Sequence, residues 1–565
     1  MKNLTTACLF VATAVAIVSF IAPTVFGQEK KVDPLPDKSV TDRVDKLFEK
    51  WDKPDSPGCA LGIVKDGELI YKRGYGSASI EYAIPITPTT RFNAGSISKQ
   101  FTATAIALLA QQRKLSLDDN VRKYIAELPD FGTPITIRHL LHHTSGLRCD
   151  LVGLPGRPDY VTEQYVLQLL SQQKELNSRP GEKYVYCNTG YELLAVIVKR
   201  VSGQSLRDFS RTNIFDPLGM KQTFFREDAR EMVGNLASGY RPTSANAFRK
   251  EFPSWSVVGA AGLITTVEDL ALWDQNFYNP RVGGQGFIDQ LHERATLNSG
   301  ESADYGYSFG SFTRKYKGVR TMDVMGGGAG FSAYLMQFPD KRFSVICLCN
   351  GAGWTSTFEV TPKVVDLYLA GEFTEAEPGP IELSQQQLAS KAGLYWSRDH
   401  DSFLRLAMRE GKLQLLRATG NALLIPIGED VFRQAGFPFP VELRFAPVQG
   451  RGLKATYTFT GDAPVHYERV AQHVPTAAKL KEYAGTYVSD EVDLVWRVVV
   501  ENGRLLLKRL RFEPSPLEPT VSDVFLSSPT STIRFTRDNN GRITGLLMSS
   551  IPPSFQRLKF IRENR

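Results

Sequence analysis

The chain has 565 residues, 42% hydrophobic and 22% charged, a balance that excludes a single small module or a disordered polymer and predicts about three or four domains. With 67 basic against 60 acidic residues, the formal net charge is only +7. No block of like charges is present to track a phosphate backbone, which argues against nucleic acid as a partner.

Residues 1–27 begin with Lys2, continue through the apolar stretch Leu4 to Ala22 and reach Val25-Phe26-Gly27, the layout of an export signal. The expectation is a periplasmic or secreted protein. An uncleaved membrane anchor is the other outcome, because the apolar run is long for a signal. No later segment is long and apolar enough to suggest a stable membrane span after cleavage. A lipoprotein site at Cys8 is disfavoured because the apolar region follows that cysteine instead of preceding it.

Val40, Val44, Leu47, Phe48 and Trp51 recur at helical spacing. Leu61 to Val64 and Leu69 to Tyr71 then flank Asp66-Gly67, a hairpin signal. An apolar-periodic helix runs from Ser96 to near Arg113, and mostly helical patterns continue to about residue 230. Strands return at Phe331 to Phe338 and Phe343 to Cys349, joined by a turn containing Pro339 and Asp340. A helix with Phe358, Val364, Val365 and Tyr368 follows. Residues 372–386, with Glu372, Glu375, Glu377, Pro378, Gly379 and Pro380, lack periodicity and read as a linker.

Beyond the linker lies an internal repeat. Ala392-Gly393-Leu394-Tyr395 is answered by Ala484-Gly485-Thr486-Tyr487, Gly411-Lys412-Leu413 by Gly503-Arg504-Leu505, Asp430-Val431-Phe432 by Asp523-Val524-Phe525, and Leu443-Arg444-Phe445 by Ile533-Arg534-Phe535. The offset holds near 90 residues, and each copy has short alternating strands separated by turn residues, so two small antiparallel barrels are expected. The expected domains are a signal at 1–27, a first domain at 28–372, and barrels at 387–470 and 471–565.

Five cysteines remain after the signal, Cys59, Cys149, Cys187, Cys347 and Cys349, an odd and scattered set that does not read as a disulfide framework. Cys347 and Cys349, two apart in a strand, should share one face as small core residues. His139, His142 and His143 form the densest metal-like cluster.

Chemistry is suggested first by Ser96-Ile97-Ser98-Lys99. A helix brings residues three apart onto one face, where a lysine of lowered pKa can take a serine's proton. Gly95 permits a tight entry to this helix, and Ala103, Ile106 and Leu109 supply an apolar body behind it. Ser171-Gln172-Gln173-Lys174 has the same spacing without that setting and reads as solvated. Tyr186-Cys187-Asn188 adds a tyrosine able to relay a proton and an amide able to hold the lysine amine.

With these motifs, and with Leu140-Leu141-His142-His143-Thr144-Ser145-Gly146-Leu147, Pro217-Leu218-Gly219-Met220 and Gly262 to Leu270, residues 38–370 resemble the serine beta-lactamase and penicillin-binding protein superfamily, closest to its class C and D-aminopeptidase-like branch. The resemblance implies an α+β fold, an antiparallel sheet flanked by helices plus a helical region. It implies an acyl-enzyme on Ser96, Lys99 as base, Tyr186 as proton relay and Asn188 as an orienting, substrate-contacting residue. It places His142 and His143 in a structural loop, with no metal and no cofactor.

The family's third motif, a basic or histidine residue, any residue, then glycine, falls on Val324-Met325-Gly326. Neither Val324 nor Met325 is basic, so no side-chain cation is offered there to a substrate carboxylate. The backbone N–H groups of Ser96 and Gly327 would form the oxyanion hole by resemblance. Lipocalin-like barrels after a hydrolase domain resemble the D-aminopeptidase layout. The expectation is a serine hydrolase acting on a small acyl ester, amide or peptide, the alternative an inactive protein binding peptide or cell-wall fragments. The sequence sets no oligomeric state.

Overall fold

The computed structural model describes residues 38–563 apart from 155–159, 245–246, 304–305, 352–353, 418–419, 438, 450–451, 460–463, 529–530 and 551–553. The expected signal segment lies outside the described residues, among which no helix is long and apolar enough to cross a membrane.

The first domain is built on a six-stranded antiparallel sheet. Its strands are β1 (Cys59–Lys65), β2 (Glu68–Tyr75), β3 (Phe312–Tyr316), β4 (Val319–Gly328), β5 (Phe331–Phe338) and β6 (Phe343–Cys349), in spatial order β3-β4-β5-β6-β1-β2. The sheet joins the two ends of the domain, because β1 pairs with β6 from Cys59↔Cys349 to Lys65↔Phe343. Both faces are covered, which explains why the central strands β1, β5 and β6 are buried at nearly every position while their side chains alternate. Leu61, Ile63, Val345 and Cys347 face α1 (Lys38–Phe48) and α5 (Trp354–Leu369), whereas Ala60, Val64, Ile346 and Leu348 face the helical region. That region is centred on α2 (Ser98–Gln111), α3 (Asn188–Ser202) and α4 (Val267–Asn276).

The linker has no regular structure between the end of the first domain and the helix Gln385–Lys391. A closed eight-stranded barrel follows, running from Gly393–Ser397 to Val465–Val470. The helix Ala477–Tyr483 then leads into a nine-stranded sheet whose edge strands, Phe512–Pro516 and Glu518–Pro519, are separated only by Leu517. One bent segment thus joins the two edges, and the second barrel is nearly closed. The repeat is structural in detail: Tyr395 and Tyr487 donate their hydroxyls to the carbonyls of Lys391 and Tyr483. Arg469 and Arg562 likewise donate to the carbonyls of Ala392 and Ala484.

The expectation for the cysteines is overturned. Cys59 is bonded to Cys349 and Cys149 to Cys187, with Cys347 free and buried. Sequence spacing hid the first pair because its members are 290 residues apart and meet only when β1 pairs with β6. Cys347 and Cys349 do share a buried face, their sulfurs 3.6 Å apart.

Candidate active site

Ser96 lies in a short 3-10 turn, Gly95–Ile97, directly before α2, and Lys99 lies in the first turn of that helix. The sequence placed the serine at the start of the α-helix; the structure sets it in a tighter turn just ahead of it, possible because Gly95 adopts a φ of 53°. A Cβ at Gly95 would stand 2.3 Å from the backbone nitrogen of Gly327. Ser98 fastens the turn, accepting a hydrogen bond from Leu263 N at 3.0 Å while donating to Gly95 O at 2.6 Å.

Four residues predicted from sequence converge here. Lys99 Nζ is 3.0 Å from Ser96 Oγ, 2.9 Å from Asn188 Oδ1 and 2.8 Å from the carbonyl of Ala260. The Tyr186 hydroxyl is 3.0 Å from the same Ser96 Oγ. Lys99 is buried while Ser96, Tyr186 and Asn188 are partly exposed, so the cluster opens to solvent on the serine side. A neutral amine has two N–H groups and one lone pair. With Asn188 and Ala260 accepting the two hydrogens, the lone pair would be left for the serine proton.

The buried His143 ring packs between Tyr186 and Tyr307, at 4.3 Å and 4.5 Å, and its Nδ1 accepts from Cys187 N. Burial, followed by the charge of Lys99, holds His143 well below the usual imidazole range. Burial likewise pushes His142 down to about 4. His139 Nδ1 accepts from Thr136 N in a helix-capping arrangement. These three histidines are thus engaged in the scaffold. Among the described residues, the grouping closest to a metal-ligand set is Cys59, Cys347 and Cys349, in which two sulfurs are already bonded to each other.

Along the third motif, Val324 is buried in the core toward the helical region, and Met325 packs toward the opposite face. Val324 brings no charge to the cluster, and Met325 does not point at it. The glycines do approach it: a Cβ on Gly326 would lie 1.9 Å from Ala94 O and 2.9 Å from Ser96 N. The backbone of Gly326 and Gly327 therefore runs directly against the turn Gly95–Ile97 that carries Ser96. The second S-x-x-K is dispersed, with Ser171 donating to Gln168 O and Lys174 in an exposed pair with Asp490.

Several neighbours escaped the sequence reading. Asn188 Nδ2 donates to Asp150 Oδ1 at 3.0 Å, and Ser554, from the second barrel, donates to Asp150 Oδ2 at 3.0 Å. Cys187, the middle residue of Tyr186-Cys187-Asn188, is bonded to Cys149 beside Asp150. Glu192, one turn further along α3, is buried, and burial together with the Asp150 charge raises its carboxyl to about 7. A cysteine inside the tyrosine–asparagine motif, with another shortly after His142-His143, was the available signal for the disulfide. Nothing in the spacing announced Ser554.

The family model described as Beta-lactamase matches residues 44–370. The chain belongs to the beta-lactamase family of serine hydrolases. It is 28% identical over 338 residues to protein flp of Staphylococcus aureus strain N315, covering 57% of this chain and 65% of that one. It is 30% identical over 375 residues to a D-aminopeptidase of Gluconobacter oxydans, covering 64% of this chain and 66% of the relative. The chain thus spans a little under two thirds of these relatives' length. Its fold is similar to that of an octameric penicillin-binding protein homologue from Pyrococcus abyssi, with a TM-score of 0.54 at 23% identity over 76% of this chain and 99% of the other.

Proposed function

We propose that the protein is an exported serine hydrolase that opens a small ester, amide or peptide through an acyl-enzyme on Ser96. The observation that carries this reading is the convergence of Lys99 Nζ and the Tyr186 hydroxyl on Ser96 Oγ, each at 3.0 Å. Ser96 Oγ attacks the carbonyl carbon and gives its proton to Lys99. The carbonyl oxygen becomes an oxyanion facing the N–H groups of Ser96 and Gly327. Collapse breaks the bond to the leaving alcohol or amine, which takes up a proton through Tyr186. Water then attacks the Ser96 ester, giving a proton to Lys99; the bond from the acyl carbon to Ser96 Oγ breaks, Oγ takes that proton back from Lys99, and the acid is released. Two disulfides agree with an oxidising compartment and hence with export.

The uncharged, buried Val324 supports preferring neutral ester or amide substrates over those that need a cation opposite a carboxylate. It is also the feature favouring the second reading, an inactive protein that binds peptide or cell-wall fragments. Hydrolysis of p-nitrophenyl acetate and of a D-amino acid p-nitroanilide by the wild type and by Ser96→Ala separates them. The proposal expects turnover that disappears in the variant; turnover that survives in Ser96→Ala overturns it.

A further inference from the structure

Asp150 plays no part as acid, base or nucleophile in the reaction above, yet its backbone holds a left-handed φ of 56°. Strained backbone of this kind persists where the surroundings over-determine it. The surroundings here are specific. Its side chain accepts on one oxygen from Asn188 Nδ2 and on the other from Ser554 Oγ, both at 3.0 Å. Its neighbour Cys149 is bonded to Cys187, the residue immediately before Asn188, and donates its backbone N–H to Ser554 O at 2.6 Å. Asn177 holds the Ser554 segment from the other side, donating to Ser554 O at 3.2 Å and accepting from Gln556 N at 2.8 Å.

An ionised carboxylate only accepts hydrogen bonds. Facing Asp150, the Asn188 amide must therefore present its NH2 to the carboxylate and its carbonyl oxygen to Lys99, where it is found at 2.9 Å. The opposite orientation would set NH2 donors against Lys99 and draw the amine lone pair away from Ser96. We propose that Asp150 is a positioning residue of the Ser96–Lys99 pair, fixing the Asn188 amide with its carbonyl toward Lys99, and that the second barrel holds Asp150 in place through Ser554. The proposal rests on the acyl-enzyme reading.

The test is the acylation rate and KM with p-nitrophenyl acetate, measured by stopped flow together with thermal melting. Asp150→Ala should lose about 10²-fold in acylation rate, as a misoriented catalytic group does, with KM little changed. Asp150→Asn keeps an oxygen for Asn188 and an NH2 for Ser554 Oγ, and should restore most of that rate. In an Asn188→Ala background, Asp150→Ala should cost nothing further, because the two act as one unit. Ser554→Ala should fall between wild type and Asp150→Ala. A wild-type rate in Asp150→Ala, equal losses in the Ala and Asn variants, or additive losses with Asn188→Ala would each overturn the positioning role, and an unchanged Ser554→Ala would remove the barrel from it. A wild type that neither turns over p-nitrophenyl acetate nor takes an acetyl group on Ser96 overturns the underlying hydrolase reading instead, and does so before any variant is compared.

Discussion

At the scale of single residues, the arrangement around Lys99 decides what Ser96 can do. A serine hydroxyl needs a base within hydrogen-bond reach, and the Lys99 amine and the Tyr186 hydroxyl both stand 3.0 Å from it. Lys99→Ala should slow acylation by about 10⁴- to 10⁶-fold, the range seen when a serine site loses its base or the group that orients it; a wild-type burst rate in that variant would remove Lys99 from the mechanism. Glu192 gives a separate test by pH. Its folded value of about 7 lies above the ordinary 4.5, so the folded protein holds this proton more tightly than the unfolded chain. Its stabilising protonation is fully present below about 4.5 and is lost as pH rises through about 7. Glu192→Gln should therefore stabilise the protein by about 1–3 kcal/mol at pH 8 and hardly at all at pH 4. Thermal melts at the two pH values check this, and an equal effect at both would contradict it. Of this site, Ser96, Lys99, Tyr186 and Asn188 were legible because their spacings are local. Asp150, the Ala260 carbonyl and Ser554 were not, because they arrive from separate parts of the chain and only folding brings them together.

At the scale of elements, the third-motif strand works through its backbone. β4 carries Val324 into the core and Met325 away from the site, so its contribution is the close passage of Gly326 and Gly327 along the turn Gly95–Ile97. The atom that a Cβ at Gly326 would strike is the backbone oxygen of Ala94, which cannot rotate aside. Gly326→Ala should accordingly displace the turn and reduce hydrolysis by about 10²-fold or more, while Gly328→Ala, with open space around its Cβ, should act only through its own backbone strain. Equal activity in Gly326→Ala and wild type would contradict the close approach. The strands of the central sheet were readable where they are long and apolar, as in β5 and β6. β3, with Arg314 and Lys315 in its five residues, lacked that signature because it is an edge strand. The barrel repeat was readable because its turn and strand-start residues recur in register, and these are the residues that perform the same closures in both copies.

At the scale of the whole molecule, the two barrels are packed into the hydrolase domain. The core of the second barrel is continuous with Leu151, Leu154, Val161, Val166, Leu169 and Val257 of the first domain. Phe439 of the first barrel joins the core on the α1 and α5 side of the sheet. At the second barrel's contact Arg148, 1% exposed, is paired with Glu491 of that barrel. Without Glu491 the buried Arg148 would be left with the largely exposed Glu175, 3.2 Å away, so Glu491→Ala should cost about 2–4 kcal/mol. Because Arg148 adjoins Cys149 and Asp150, hydrolysis should fall with it. A thermal melt and a rate measurement check both, and an unshifted melt would mean the barrel docks without this pair. Composition gave no sign of this dependence: a linker without periodicity reads as a boundary, but the surfaces that meet across it are set by tertiary packing.

The central claim is that Ser96 forms a covalent acyl intermediate. The most direct measurement is the intact mass of the protein quenched within the burst phase of p-nitrophenyl acetate hydrolysis, followed by peptide mapping. The account predicts one acetyl group, on the peptide carrying Ser96, which is absent from Ser96→Ala and accumulates more slowly in Lys99→Ala. An acetyl group on another residue, or turnover in a protein that never carries one on Ser96, would contradict it.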